Sequence, residues 1–157
     1  MPTDNLIKIL FRFHSDILDK ETVETMWATV VNAEFGYYRL ENIPFYISNA
    51  ASGDVVWAEY NPKEDMLTYR KTVKYSGKST LRIILMDNGH DVNSIKSIFE
   101  EMGCQSESLS KKYFVMEVPA DVDYSQVKEK LDELQKDNII GYAESFLSDN
   151  HQYKNVL

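Results

Sequence analysis

Asp87, His90 and Asp91 stand within one short run, a spacing from which oxygen and nitrogen ligands can converge on a metal ion. The same run reads as a capping loop, with Asp91 closing a helix start and His90 in solvent, and capping loops are far commoner than metal sites. The other two histidines, His14 and His151, fall at a strand end and in the C-terminal tail. Cys104 is the only cysteine, so one chain cannot form an internal disulfide, a thiolate-ligated iron–sulfur cluster or a Cys-rich zinc site. No metal and no cofactor is expected.

Glycine-rich phosphate loops, nucleophile elbows and the His-Glu-x-x-His helix are all missing from the sequence. The acidic pairs Asp121 with Asp123 and Glu100 with Glu101 have the composition of general acids and bases. A catalytic carboxylate, however, needs burial or a partner charge to tune its pKa. The hydrophobic pattern puts each of these at a helix end or on an outer face, so the chain is expected to act by binding and not by turnover.

The charge balance restricts what it can bind. Across 157 residues, 25 acidic and 17 basic side chains give a net charge of −8. Residues 1–78 hold 9 basic and 11 acidic groups and the remainder 8 and 14, so the two parts carry −2 and −6. Phosphate backbones are bound mainly by neutralising Lys and Arg, so nucleic acid is not an expected partner. No window approaches the ~18 apolar residues of a membrane span. The polar start, Met1 to Asn5, leads straight into a strand-like run, which points to a cytoplasmic protein with no membrane partner.

The elements that must position these residues follow from periodicity. Ile7, Ile9, Phe11 and Phe13 alternate with Lys8, Leu10, Arg12 and His14, the period of a half-buried strand. Thr22 to Val31 fits a helix through Val23, Met26, Trp27, Val30 and Val31, and a strand through Val23, Thr25, Trp27, Thr29 and Val31. Its β-branched content and the turn at Asn32 to Gly36 favour the strand. Tyr37 to Ile43 returns as another strand before Pro44. Gly53-Asp54 is a turn placed before the run Val55 to Ala58, with the Asp54 carboxylate free to cap it. Met66 to Tyr75 is one more strand. Five strands with tight turns predict a small β-barrel over residues 1–78.

Beyond Lys78 the pattern changes. Leu81 to Met86 reads as a central strand, and a helix follows with Val92, Ile95, Ile98, Phe99 and Met102 on one stripe and Gly103 at its end. Gln105 to Leu109 is a weak strand and Tyr113 to Val118 a strong one. Asp123 opens a second helix with Val127, Leu131 and Leu134 inside, and Ile139 to Leu147 closes the sheet. The fold class predicted is α+β: a small N-terminal β-barrel followed by a ferredoxin-like β-α-β-β-α-β sandwich over residues 79–157, with Ser148 to Leu157 a frayed tail.

That topology is shared with RNA-recognition modules, whose third strand carries a basic residue, Gly and stacking aromatics. Here it reads Lys112-Tyr113-Phe114-Val115-Met116-Glu117-Val118, without Gly and with a carboxylate on the stacking face. With Phe114, Met116 and Val118 toward the helices, Tyr113, Val115 and Glu117 point away, joined by Ile84, Met86, Tyr142 and Glu144. This open face either packs on the barrel or is left for a partner. In the first part, Asn42-Ile43-Pro44-Phe45-Tyr46 is an aperiodic loop whose aromatics, Phe45 and Tyr46, are placed to rim a groove.

Glu24-Thr25-Met26-Trp27, Asn42-Ile43-Pro44-Phe45-Tyr46 and Gly53-Asp54-Val55-Val56, followed by the sandwich half, resemble a bacterial family catalogued as a domain of unknown function. The likeness runs from Ile7 to Leu147, supports the strand at Thr22 to Val31, and carries no activity. Small acidic bacterial proteins without catalytic motifs are often immunity proteins, and basic toxin clefts are steered to acidic partners. The expectation is a protein partner, a cognate toxin domain, bound through Glu100, Glu101, Glu129, Asp132 and Glu133 of the outer helical faces or through the open sheet face. The alternative is a regulatory module holding a small ligand between the halves; a third reading is an enzyme with its site near Phe45 and Asp54.

Overall fold

Alternation places ten residues of the first strand against the second before any long-range contact is needed. In the computed structural model, which describes residues 6–16 and 18–152, β1 (Leu6–Ser15) pairs antiparallel with β2 (Lys20–Asn32) from Leu6↔Thr29 to Ser15↔Lys20. Residues 1–5 and 153–157, including much of the expected tail, lie outside the described residues. The chain is α+β, mostly sheet, and divides into two units, Met1–Ser76 and Gly77–Leu157.

In the first unit β3 (Tyr37–Leu40), β4 (Val55–Asn61) and β5 (Met66–Lys74) continue the sheet, and β5 returns to pair parallel with β1. The five strands thus close into a ring. The ambiguous run Thr22 to Val31 is strand because Met26 and Ala28, opposite Ile9 and Ile7, turn into the ring and are fully buried. Trp27 faces out, with the Lys8 ammonium 4.9 Å from its ring centre. Phe11 and Tyr69 stack inside at 4.4 Å, beside Tyr38, Leu40 and Val56.

The strand expected to reach Ile43 stops at Leu40. Glu41 N–H donates to the Trp27 carbonyl and the Asn42 side chain accepts the Trp27 N–H at 2.8 Å, which turns the chain out of the ladder. The loop that follows is pinned by side chains. Glu24 accepts the backbone N–H groups of Phe45, Tyr46 and Ile47 at 2.7, 3.0 and 3.1 Å, and Ile47 and Ala50 drop into the ring core. Asp54, fully buried, accepts Ala51 N–H at 3.0 Å and Ser76 N–H at 2.8 Å, so it caps its turn as expected and ties it to the end of the unit.

The second unit runs β6 (Ser79–Leu85), α1 (Val92–Glu100), β7 (Gln105–Ser108), β8 (Tyr113–Val118), α2 (Tyr124–Lys136) and β9 (Ile140–Phe146). Its sheet has the order β7-β8-β6-β9, antiparallel throughout. Asp91 caps α1 by accepting Ser94 N–H at 2.7 Å, and Asp123 caps α2 by accepting the N–H and hydroxyl of Ser125. Gly103, at φ +97°, stops the first helix in a conformation that disfavours other residues. Val92, Ile95 and Phe99 of α1 meet Tyr124, Val127, Leu131 and Leu134 of α2 over Leu81, Ile83, Phe114 and Met116. Among the described residues no helix is long and apolar enough to cross a membrane.

Two expectations are corrected here. Tyr142 and Glu144 do not lie on the open face: they pair with Ile83 and Leu81, core residues, so they share the helix side of the sheet. Gly141, one residue earlier, is the open-face position, and a Cβ there would come within 3.2 Å of Ile84. The segment after Leu147 is also not frayed where it is described. Ser148 and His151 are buried, and Asp149–His151 form a short 3₁₀ turn.

Candidate functional site

Helix spacing assembles the candidate site. Gln126, Glu129, Lys130 and Glu133 recur at three- and four-residue intervals, so they share one flank of α2. On α1, Ile98 and the turn residue Met102 are four apart and only partly buried, with Glu101 exposed beside them. These residues line a groove of about 440 Å³ between the helices, with Ile98 and Met102 as its apolar part. The Lys130 ammonium stands 3.5 Å from the Glu133 carboxylate and is half-buried. A second depression of about 430 Å³ shares Glu101, Met102 and Gln126 with the first and adds Asp121, Val122 and Asp123.

The structure therefore gathers Glu101, Glu129 and Glu133 at one groove. It separates the other expected residues. Glu100 is exposed at the end of α1 but does not line the groove. Asp132 sits on another flank of α2, where its carboxylate accepts the Tyr142 hydroxyl. Tyr113 and Glu117 are on the opposite face of the sheet, and Glu117 is buried with Lys78 Nζ at 3.3 Å, which removes it from any accessible acidic surface. Phe45 and Tyr46 belong to the ring unit, half-buried, with their backbone N–H groups held by Glu24. Sequence reasoning passed over Ile98, Met102, Gln126, Lys130, Asp121 and Asp123 as groove residues. The three- and four-residue rhythm of 126, 129, 130 and 133 is the signal that marks one flank.

Three other clusters hold reactive groups, and each is satisfied by the fold. Tyr124 donates to Glu144 at 2.5 Å, while Lys128 Nζ lies 2.9 Å from the Tyr142 hydroxyl. Burial, then the hydrogen bond to Glu144, raises the Tyr124 pKa; burial, then Asp132, raises that of Tyr142. Both phenols are thus held protonated, the opposite of an activated nucleophile or base. His151 Nδ1 lies 2.6 Å from Ser79 Oγ and Nε2 lies 3.0 Å from the Pro119 carbonyl. A carbonyl only accepts, so Nε2 carries a hydrogen and donates to Pro119, while Nδ1 and the Ser79 hydroxyl share the other hydrogen bond. Ser79 is fully buried and His151 nearly so, and the pair anchors the chain after β9 to the start of β6. In the Asp87 loop, His90 Nδ1 is 3.0 Å from Asp87 while Asp91 caps α1. Among the described residues no three His, Cys, Asp or Glu side chains are grouped to hold a metal.

Fold and site together define an α+β protein, mostly sheet, that carries an acid-rimmed groove between its two helices. The chain belongs to the family described as Domain of unknown function (DUF4265), which matches residues 24–142. The match begins at Glu24, the carboxylate that pins the loop, and includes the Asn42 and Asp54 clamps. Among curated proteins no match was found. The chain is similar to a solved structure described as a novel crystal structure of a hypothetical protein from Neisseria gonorrhoeae, at 22% identity and a TM-score of 0.78, over 91% of this chain and 96% of that one. At that identity the likeness shows the fold alone.

Proposed function

We propose that this is a non-catalytic binding protein of the bacterial cytoplasm, an immunity protein that neutralises a cognate toxin through its acidic helical face. In this reading the five-stranded ring is a small β-barrel and the second unit a ferredoxin-like sandwich, which its β-α-β-β-α-β order and its sheet order support. The observation that carries the functional reading is the convergence of Glu101, Glu129 and Glu133 from two helices on Ile98 and Met102. A carboxylate rim around an apolar strip complements a cationic cleft, whose anionic substrate it mimics in charge and toward which it is steered. The −6 carried by residues 79–157 adds to that attraction.

The test is co-expression with the toxin domain encoded by a neighbouring reading frame, scored by growth and by calorimetry of the purified pair. Binding and rescue are expected, with Glu101→Gln/Glu129→Gln/Glu133→Gln weakening affinity by about tenfold or more, roughly 1.4 kcal/mol. The association rate is expected to fall as salt rises from about 50 to 200 mM. Failure to bind that domain at low salt sinks the proposal.

A further inference from the structure

The two depressions on the helical face are one feature, because both are lined by Glu101, Met102 and Gln126. Together they make a trench running from Glu133 to Asp121. Its apolar contacts are Ile98, Met102 and Val122, each partly buried against the core; the lining is mainly apolar toward Glu133 and mainly polar toward Asp121. Its walls carry Glu101, Asp121, Asp123, Glu129 and Glu133, against which Lys130 is the one basic lining residue, already within 3.5 Å of Glu133.

Those features constrain the occupant. Both walls are helices or their capping turns and neither is a strand, so the trench has no strand edge to which an extended peptide can add. Recognition must run through side chains. A floor of spaced apolar contacts between acidic walls fits an amphipathic helix with apolar residues at i and i+4 and Arg or Lys on both flanks. We propose that the trench between α1 and α2 is the seat of a cationic amphipathic helix of the partner protein. This rests on the binding reading above and specifies the chemistry that reading requires.

The experiment uses the full chain and a fluorescein-labelled peptide of about four helical turns, with Leu at i and i+4 and Lys on both flanks, read by fluorescence anisotropy. A second peptide replaces the Leu residues with Ser at unchanged charge. The Leu peptide is expected to bind, and the Ser peptide to bind about tenfold or more weakly. Glu129→Gln/Glu133→Gln and Met102→Ser are each expected to weaken the Leu peptide several-fold, with circular dichroism reporting that the helices persist. Glu21→Gln/Glu34→Gln, the same charge change in the ring unit, is expected to leave binding unchanged.

Equal binding of the two peptides, equal loss in the Glu21/Glu34 control, or no binding of the Leu peptide at low salt overturns the trench. If the toxin is neutralised by a chain whose trench variants are silent, the trench and the acidic-face mode fall together and toxin neutralisation by another surface stands. If the peptide binds in the trench and no toxin is neutralised, the immunity reading falls and the trench stands.

Discussion

Cys104 shows how far burial moves a single group. Removal from water, and then the negative charge of Glu117, push its thiol from 9.0 up to about 11. The folded chain therefore keeps a proton that the unfolded chain releases above its ordinary range. Below about pH 8 both states hold the proton and stability does not depend on it. Between roughly pH 9 and pH 11 the unfolded state binds fewer protons, so stability falls by up to about 1.4 kcal/mol per unit as pH rises. Urea unfolding across that window is expected to show at least this slope, and Cys104→Ala to lessen it while the raised tyrosines keep a remainder at its upper end. Because the buried thiol stays neutral, a disulfide reagent at pH 8 is expected to label it only as fast as the second unit opens. Tyr124, also raised, adds to the alkaline loss.

At the scale of elements, the loop from Glu41 to Asp54 has no regular ladder and is ordered by acceptors borrowed from elsewhere. Glu24 accepts hydrogen bonds from three N–H groups of that loop, and Asn42 and Asp54 brace its two ends. Glu24→Ala strands half-buried donors and is expected to cost about 2 kcal/mol in urea unfolding, with faster proteolysis between Pro44 and Asn49. Glu24→Gln, which keeps one acceptor, is expected to lose less. Helix α2 was legible because Val127, Leu131 and Leu134 fall along one stripe; β2 was legible as a strand but was read through Val23, Thr25, Trp27, Thr29 and Val31, whereas Met26 and Ala28, of the other parity, turn inward. Strand β9 was misread because its helix-side parity carries the polar-tipped Tyr142 and Glu144, which read as outward residues, and a slip of one residue flips every side chain. Gly141 opposite Ile84 resolves the parity only once the partner strand is known. The acidity of the candidate site was legible as well. Its groove was not, since Ile98 and Glu129 come together through helix packing that no local pattern encodes, and Ser79 with His151 are 72 positions apart.

At the scale of the whole molecule, each unit closes its own core: one cluster is built only from residues of the ring and the other only from the sandwich-like unit. The ring depends on one seam, where β5 meets β1 through Ile9↔Leu67 and Leu10↔Thr68. The β1–β2 hairpin joins neighbours in sequence and forms within about 1–10 μs in isolated hairpins. The seam joins positions 9 and 67, which are 58 apart, so its contacts wait on the closure of nearly the entire unit and come at an entropic cost that the hairpin avoids. With two paired positions against ten in the hairpin, the seam is where transient opening should start. Hydrogen exchange is expected to proceed faster at Leu67 and Thr68 than at Met26 and Ala28, and slower exchange at the seam would refute this order. The closure that removes the sheet's edges thus also sets its clock: the ring is last to shut and first to unzip along a line two residues long.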